Sequence, residues 1–119
     1  MSEGFSSGTL LRVFIGEADT LEGVPVYERL LVAAKEAGIA GAGVYRGIES
    51  FGQNGKVHTA RLLRLAEDLP VVFEAVDEPG LIGSFLKTAS EIVEKSGGGG
   101  LVVTMPVSMH RIESSKKRG

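Results

Sequence analysis

Residues 9–109 carry one pattern twice: a short strand with apolar alternation, a stretch at helical spacing, and a second strand. The first copy predicts a strand over residues 10–15, a helix over 25–37 and a strand over 42–48. The second predicts a strand over 71–76, a helix over 79–93 and a strand over 101–107. Two such halves constrain the chain to one sheet with two helices on one face. Between them lies a glycine- and base-rich insert, Phe51-Gly52-Gln53-Asn54-Gly55-Lys56-Val57-His58-Thr59-Ala60-Arg61. The scaffold hosts many activities, so the insert and the loops at the helix ends must carry the function.

Leu11, Val13 and Ile15 alternate with Leu10, Arg12 and Phe14, yet the second set is also largely apolar. The same holds for Val71, Phe73 and Ala75 against Val72, Glu74 and Val76, and for Leu101, Val103 and Met105 against Val102 and Thr104. Helices on one side alone would leave the second face in water, which soluble monomers avoid. An oligomer covering that face is the expectation. Pro106 cannot donate a ladder bond, which places the last strand at a sheet edge or a bulge. In the helices, Val26, Leu30, Ala33, Ala34 and Ala37 form one stripe entered at Pro25 and stopped at Gly38. Leu81, Ile82, Phe85, Leu86, Ala89, Ile92 and Val93 form another, opened by Pro79 and closed by Ser96-Gly97. These stripes read as core.

A length of 119 residues suits one domain, expected over residues 9–112, with a flexible lead-in at 1–8 and a basic tail at 113–119. The lead-in lacks the positive start and apolar stretch of a secretory signal. The absence of cysteine removes disulfides, thiolate zinc sites and thiol nucleophiles, and a cytoplasmic location is expected. No apolar run approaches the roughly 20 residues of a membrane span, so no membrane insertion is expected. A net charge of -2 argues against nucleic acid as a partner. The charge is uneven: between Arg46 and Arg64 the bases Arg46, Lys56, Arg61 and Arg64 face only Glu49. A local anion site is compatible with an acidic chain.

Several stretches could carry chemistry. Asn54-Gly55 is a strong hairpin signal that would pair Phe51-Gly52-Gln53 with Lys56-Val57-His58 across a two-residue turn. The other reading is a mobile loop that orders on a ligand or partner. In Ser96-Gly97-Gly98-Gly99-Gly100, bare amides could wrap an anion in a nest, or the run is a helix stop followed by slack. No P-loop spacing surrounds Gly55-Lys56, and no nucleophile elbow surrounds any serine. The two histidines, His58 and His110, supply no metal-ligand spacing. His58 reads as hydrogen-bonding or anion-facing and His110 as a surface residue. Glu17, Asp19 and Glu22 could do acid–base work, or could orient a helix start and pair with a base such as Arg46.

With those residues in hand, the chain resembles the PII-like signalling proteins, most closely the small branch long catalogued as a domain of unknown function. The resemblance rests on Ile15-Gly16-Glu17, Gly23-Val24-Pro25-Val26-Tyr27-Glu28, Gly41-Ala42-Gly43, Arg46-Gly47-Ile48, Phe51-Gly52, Val57-His58-Thr59-Ala60-Arg61, Asp68-Leu69-Pro70 and the run of four glycines. It covers residues 9–112 and implies an α+β fold, a ferredoxin-like βαββαβ sandwich whose four-stranded antiparallel sheet carries two helices on one face. It also implies a homotrimer with inward-facing sheets and an adenine nucleotide in each inter-subunit cleft, as an effector and not a required cofactor. By position, Gly52, Gln53 and His58 form the loop base, Gly97, Gly98, Gly99 and Gly100 the phosphate nest, and Arg111 the basic residue after the last strand. Arg46 and Arg61 join this set from charge and location.

Three departures from the PII pattern matter. One extra residue between Gly41 and Phe51 predicts a bulge in the second strand. Leu101 stands where a lysine would follow the glycines, which favours AMP or ADP over ATP. No tyrosine lies between Phe51 and Leu69 to accept uridylylation. The resemblance implies a nonenzymatic regulator whose partner is a membrane transporter or channel. The competing readings are a phosphate-ester or acyl-phosphate hydrolase, with Arg46 or Arg61 as anion clamp and Asn54 positioning water, and a purely structural trimer.

Overall fold

Alternation along the first strand decides the architecture. The computed structural model describes residues 4–46, 49–51, 57–59 and 70–115. In chain order the elements are β1 (Ser6–Gly16), β2 (Thr20–Leu21), β3 (Val24–Pro25), α1 (Val26–Glu36), β4 (Gly41–Arg46), β5 (Glu49–Phe51), β6 (Val57–Thr59), β7 (Pro70–Asp77), α2 (Pro79–Ser96) and β8 (Leu101–Met109). Four strands form an antiparallel sheet in the order β4-β7-β1-β8, so each strand-helix-strand half crosses over a strand of the other. This is the ferredoxin-like arrangement expected, and Pro106 lies on an edge strand.

Because directly opposed residues share a face, the register sorts the side chains. One face carries Val44, Phe73, Val13 and Val102 in one row across the sheet, and Ala42, Ala75, Leu11 and Thr104 in the next. Leu11, Val13, Phe73 and Ala75 are fully buried there beneath Val26, Leu30 and Ala34 of α1 and Ile82, Phe85, Ala89 and Val93 of α2. The Phe73 and Phe85 rings tilt together with centroids 6.0 Å apart. Both helices end as their sequences require. Gly38, at φ +75°, follows α1, and Gly97, at φ +77°, follows α2.

The opposite face is covered by neither helix. Tyr45, Val72, Phe14 and Leu101 form one row across all four strands, and Val76, Leu10 and Met105 another. Between these rows Arg12 Nε donates to Glu74 Oε2 at 3.3 Å. Tyr45, Leu101 and Met105 are 58%, 50% and 39% exposed, so the apolar second face read from the sequence is a surface of this chain.

Four expectations are corrected. Ser6, Ser7 and Gly8 pair with Met109, Ser108 and Val107, so β1 extends into the expected lead-in; its small polar residues carry no alternation to mark a strand. The pairing of β4 with β7 runs unbroken from Gly41 opposite Val76 to Arg46 opposite Val71, with no bulge, since every residue faces one partner. Glu22 and Gly23, both at positive φ, connect β2 and β3 in a small hairpin that no sequence signal predicted. The fourth concerns the insert, where β5 and β6 do pair, but with Phe51 opposite Val57 and Ser50 opposite His58. A two-residue turn at Asn54-Gly55 would set Phe51 opposite His58. The register is displaced by one residue, which exchanges the residues that share a face.

Asp77, at the end of β7, is the buried charged residue of the described chain. Its Oδ2 accepts the Ala40 N–H at 2.7 Å and its Oδ1 accepts the Glu78 N–H at 2.7 Å, joining the entry to β4 with the entry to α2. Removing a carboxylate that serves two backbone donors leaves both without an acceptor, at a cost of about 2–4 kcal/mol. Asp77→Ala should therefore lose about that much stability in urea unfolding at fixed protein concentration, and Asp77→Asn less. A loss under about 0.5 kcal/mol for Asp77→Ala would contradict this role.

Candidate functional site

Four strand ends meet at one end of the sheet. Pro70 lies opposite Gly16, Arg46 opposite Val71, and Leu101 opposite Phe14. The chain leaves this end after Arg46 and rejoins it at Pro70, so the insert is anchored there at both ends. The run Gly97 to Gly100 joins α2 to β8 at the same end. The topology thus brings Arg46 and the four glycines to the base of the insert. His58 lies in β6, while Gly52, Gln53, Asn54 and Arg61 lie outside the described residues.

Arg111 is not brought to this end within one chain. It follows Met109, which pairs with Ser6 at the opposite end of the sheet. The nine residues of β8 separate it from the glycines, roughly 30 Å at about 3.3 Å per residue. His110 lies there too, its ring against Phe5 at 5.3 Å and its Nδ1 against the Gly4 carbonyl oxygen. His110 ties the N-terminal segment to the end of β8.

The three carboxylates after β1 have structural partners. Glu17 pairs with Arg46, as the sequence suggested. Glu22 lies 3.7 Å from Arg29, whose Nη2 also donates to the Leu21 carbonyl at 3.0 Å. Asp19 is held at three points: its Oδ2 accepts the Gly16 N–H at 3.2 Å, its own N–H donates to the Gly16 carbonyl at 3.2 Å, and its carbonyl accepts the Val26 N–H at 2.9 Å. This fixes its carboxylate over the glycine run. A Cβ at position 98 would stand 2.5 Å from Asp19 Cγ and 2.6 and 2.7 Å from its oxygens.

Each glycine of the run therefore answers a local demand. Gly97 closes α2, donating to the Glu94 carbonyl at 3.1 Å. Gly98 makes room for Asp19, and its N–H donates to Ser96 Oγ at 3.2 Å. Gly99 holds φ +71°. Gly100 lets the backbone pass close to β1, since a Cβ there would meet the Phe14 carbonyl oxygen at 2.9 Å. Positive φ at positions 97 and 99, separated by one residue outside that region, is the kind of alternation that builds an anion-accepting nest. The Asp19 contact escaped the sequence reading, although an aspartate three residues after a strand-ending glycine is the spacing of a side-chain-closed turn.

Arg46 keeps most of its side chain in water, with 63% of it exposed, and an exposed pair contributes about 0–1 kcal/mol. Glu17 therefore holds the guanidinium weakly enough for another anion to replace it. Among the described residues no group of three or more histidines and carboxylates could hold a metal ion.

Residues 8–109 match the family model DUF190, described as Uncharacterized ACR. A UPF0166 protein of Aquifex aeolicus is 42% identical over 89 residues, covering 75% of this chain and 82% of the relative. A UPF0166 protein of Methanocaldococcus jannaschii is 34% identical over 88 residues, covering 74% and 81%. Among solved structures, CPII, a nitrogen regulatory PII-like protein from Thiomonas intermedia K12 bound to ADP, AMP and bicarbonate, superposes with a TM-score of 0.67 at 17% identity, over 90% of this chain and 92% of that one. At that identity the likeness speaks for the fold. With residues 8–109 matched and a sheet and two helices arranged as in the PII-like proteins, the chain belongs to the DUF190 family.

Proposed function

We propose that this chain is a nonenzymatic PII-like regulator, a homotrimer that binds AMP or ADP between subunits and reports it to a partner through the insert. The observation that carries the reading is the meeting of Arg46, the glycine run and both ends of the insert at one end of the sheet. The ADP and AMP bound by CPII on the same fold support it. In the trimer, the rows around Phe14 and Leu10 pack against the same rows of neighbouring copies, and the Arg12–Glu74 pair fixes their alignment. Arg111, remote within one chain, reaches the site of a neighbour.

The working of such a sensor is a population shift. A phosphate that takes Arg46 from Glu17 and lies along Gly97, Gly98, Gly99 and Gly100 changes what holds the base of the insert. Gly52, Gln53, His58 and Arg61 then complete the site from the insert itself. The nucleotide moves the equilibrium between insert states by its difference in affinity for them and no further. The partner that reads the insert is a membrane transporter or channel in this reading, and the protein acts from the cytoplasm without inserting in the membrane.

Two measurements test this. Thermal unfolding with AMP, ADP or ATP should show stabilisation by about 2.7 kcal/mol at a hundredfold excess over Kd, with no phosphate release. Release abolished by Arg61→Ala would establish the hydrolase instead, and no shift with any nucleotide would leave a structural trimer. Separately, sedimentation should give the mass of three chains for the native protein and of one folded chain for Met105→Asp, which puts a charge in the open face. A native monomer would overturn the trimer.

A further inference from the structure

We infer that Asp19 is a charge filter for the glycine run: it sets how much negative charge a ligand may carry there and favours the monophosphate. The inference rests on the nucleotide reading and adds a specificity-determining residue to it. A loop built to take a polyphosphate gathers donors and cations. Here the side chain pressed against the run is instead an anion, with both carboxylate oxygens within 2.7 Å of the place a Gly98 Cβ would occupy.

The carboxylate is not placed there by chance of rotamer. The turn after β1 is closed by its Oδ2 accepting the Gly16 N–H, and the start of α1 hangs on its carbonyl through Val26. Moving Asp19 away therefore undoes the turn that ends the central strand. The glycine run in turn is shaped to admit it, since any side chain at position 98 would collide with it. Two segments distant in sequence are thus fitted to keep one negative charge at the nest.

Such a charge acts on a ligand in proportion to the ligand's own charge and falls off with distance. A single phosphate can meet the amides on the far side of the run and Arg46 beside it. Further phosphates add repulsion from Asp19 without adding a cation, because Leu101 follows the glycines. Glu17 adds a second negative charge whenever Arg46 is drawn to a ligand. The result is a preference for AMP over ATP that comes from a resident anion as well as from a missing base.

The test compares binding of AMP, ADP, ATP and inorganic triphosphate to the full chain and to three variants by calorimetry. Asp19→Asn keeps an oxygen for the Gly16 N–H and removes the charge, and Asp19→Ser offers a shorter acceptor should the first fold poorly. Glu36→Gln removes one charge at the exposed far end of α1 and controls for net charge. The affinity ratio of ATP to AMP should rise about tenfold or more in either Asp19 variant and stay unchanged in Glu36→Gln. An unchanged ratio in folded Asp19 variants that still bind AMP would overturn the filter and leave the nucleotide reading standing. Binding of no nucleotide or triphosphate by any of the four proteins would overturn both.

Discussion

The structure depends on the central position of β1, paired along its length with β7 on one side and β8 on the other. That pairing turns the alternation of Leu11, Val13 and Ile15 into a floor for both helices, because their partners Ala75, Phe73 and Val71 point the same way. It equally fixes Leu10, Arg12 and Phe14 on the open face. A slip of one residue would exchange the two sets, bringing Arg12 beneath the helices and a charge into the core. The same register sets Gly16 beside the start of β7, and Phe14 beside the start of β8. Core, open face and candidate site thus follow from one alignment.

The open face has a composition that neither a solvent surface nor a core would choose. Two apolar rows flank a charged one, with Arg12 and Glu74 at its centre. A pair this exposed adds little to the stability of one chain. Between copies it would gain strength by desolvation and penalise misaligned packing, a use in which polar groups set register and not stability. The far end of the sheet, with Asp77, Ala40 and the Phe5–His110 contact, is by contrast fastened within the chain.

Much of this was legible in the sequence, for physical reasons. The helices announced themselves by stripes such as Leu30 with Ala34, and Phe85 with Ala89, and by Pro79, Gly38 and Gly97 at their ends. The strands did so where alternation is strong, and failed at Ser6 and Ser7, where small polar residues pair without any period. The unusual glycine run was visible, but its causes were not. Close approach to Asp19 and to the Phe14 carbonyl depends on segments more than seventy residues away in the chain. Arg46 and Glu17 could be matched as charges, whereas the opposite-end position of Arg111 needed the register of β8. The hairpin signal at Asn54-Gly55 identified a strand pair and missed its register, since turn preference competes with strand pairing over only three residues a side.

The central claim is that the glycine run and the insert respond together to one ligand at one end of the sheet. Amide hydrogen exchange with and without saturating AMP tests it most directly, because it reads each segment separately. The account predicts added protection at residues 97–100 and in 47–69 at the same ligand concentration, and none at residues 38–40 at the opposite end. Protection at 38–40 with none at 97–100, or a change in the glycine run that leaves 47–69 untouched, would contradict it.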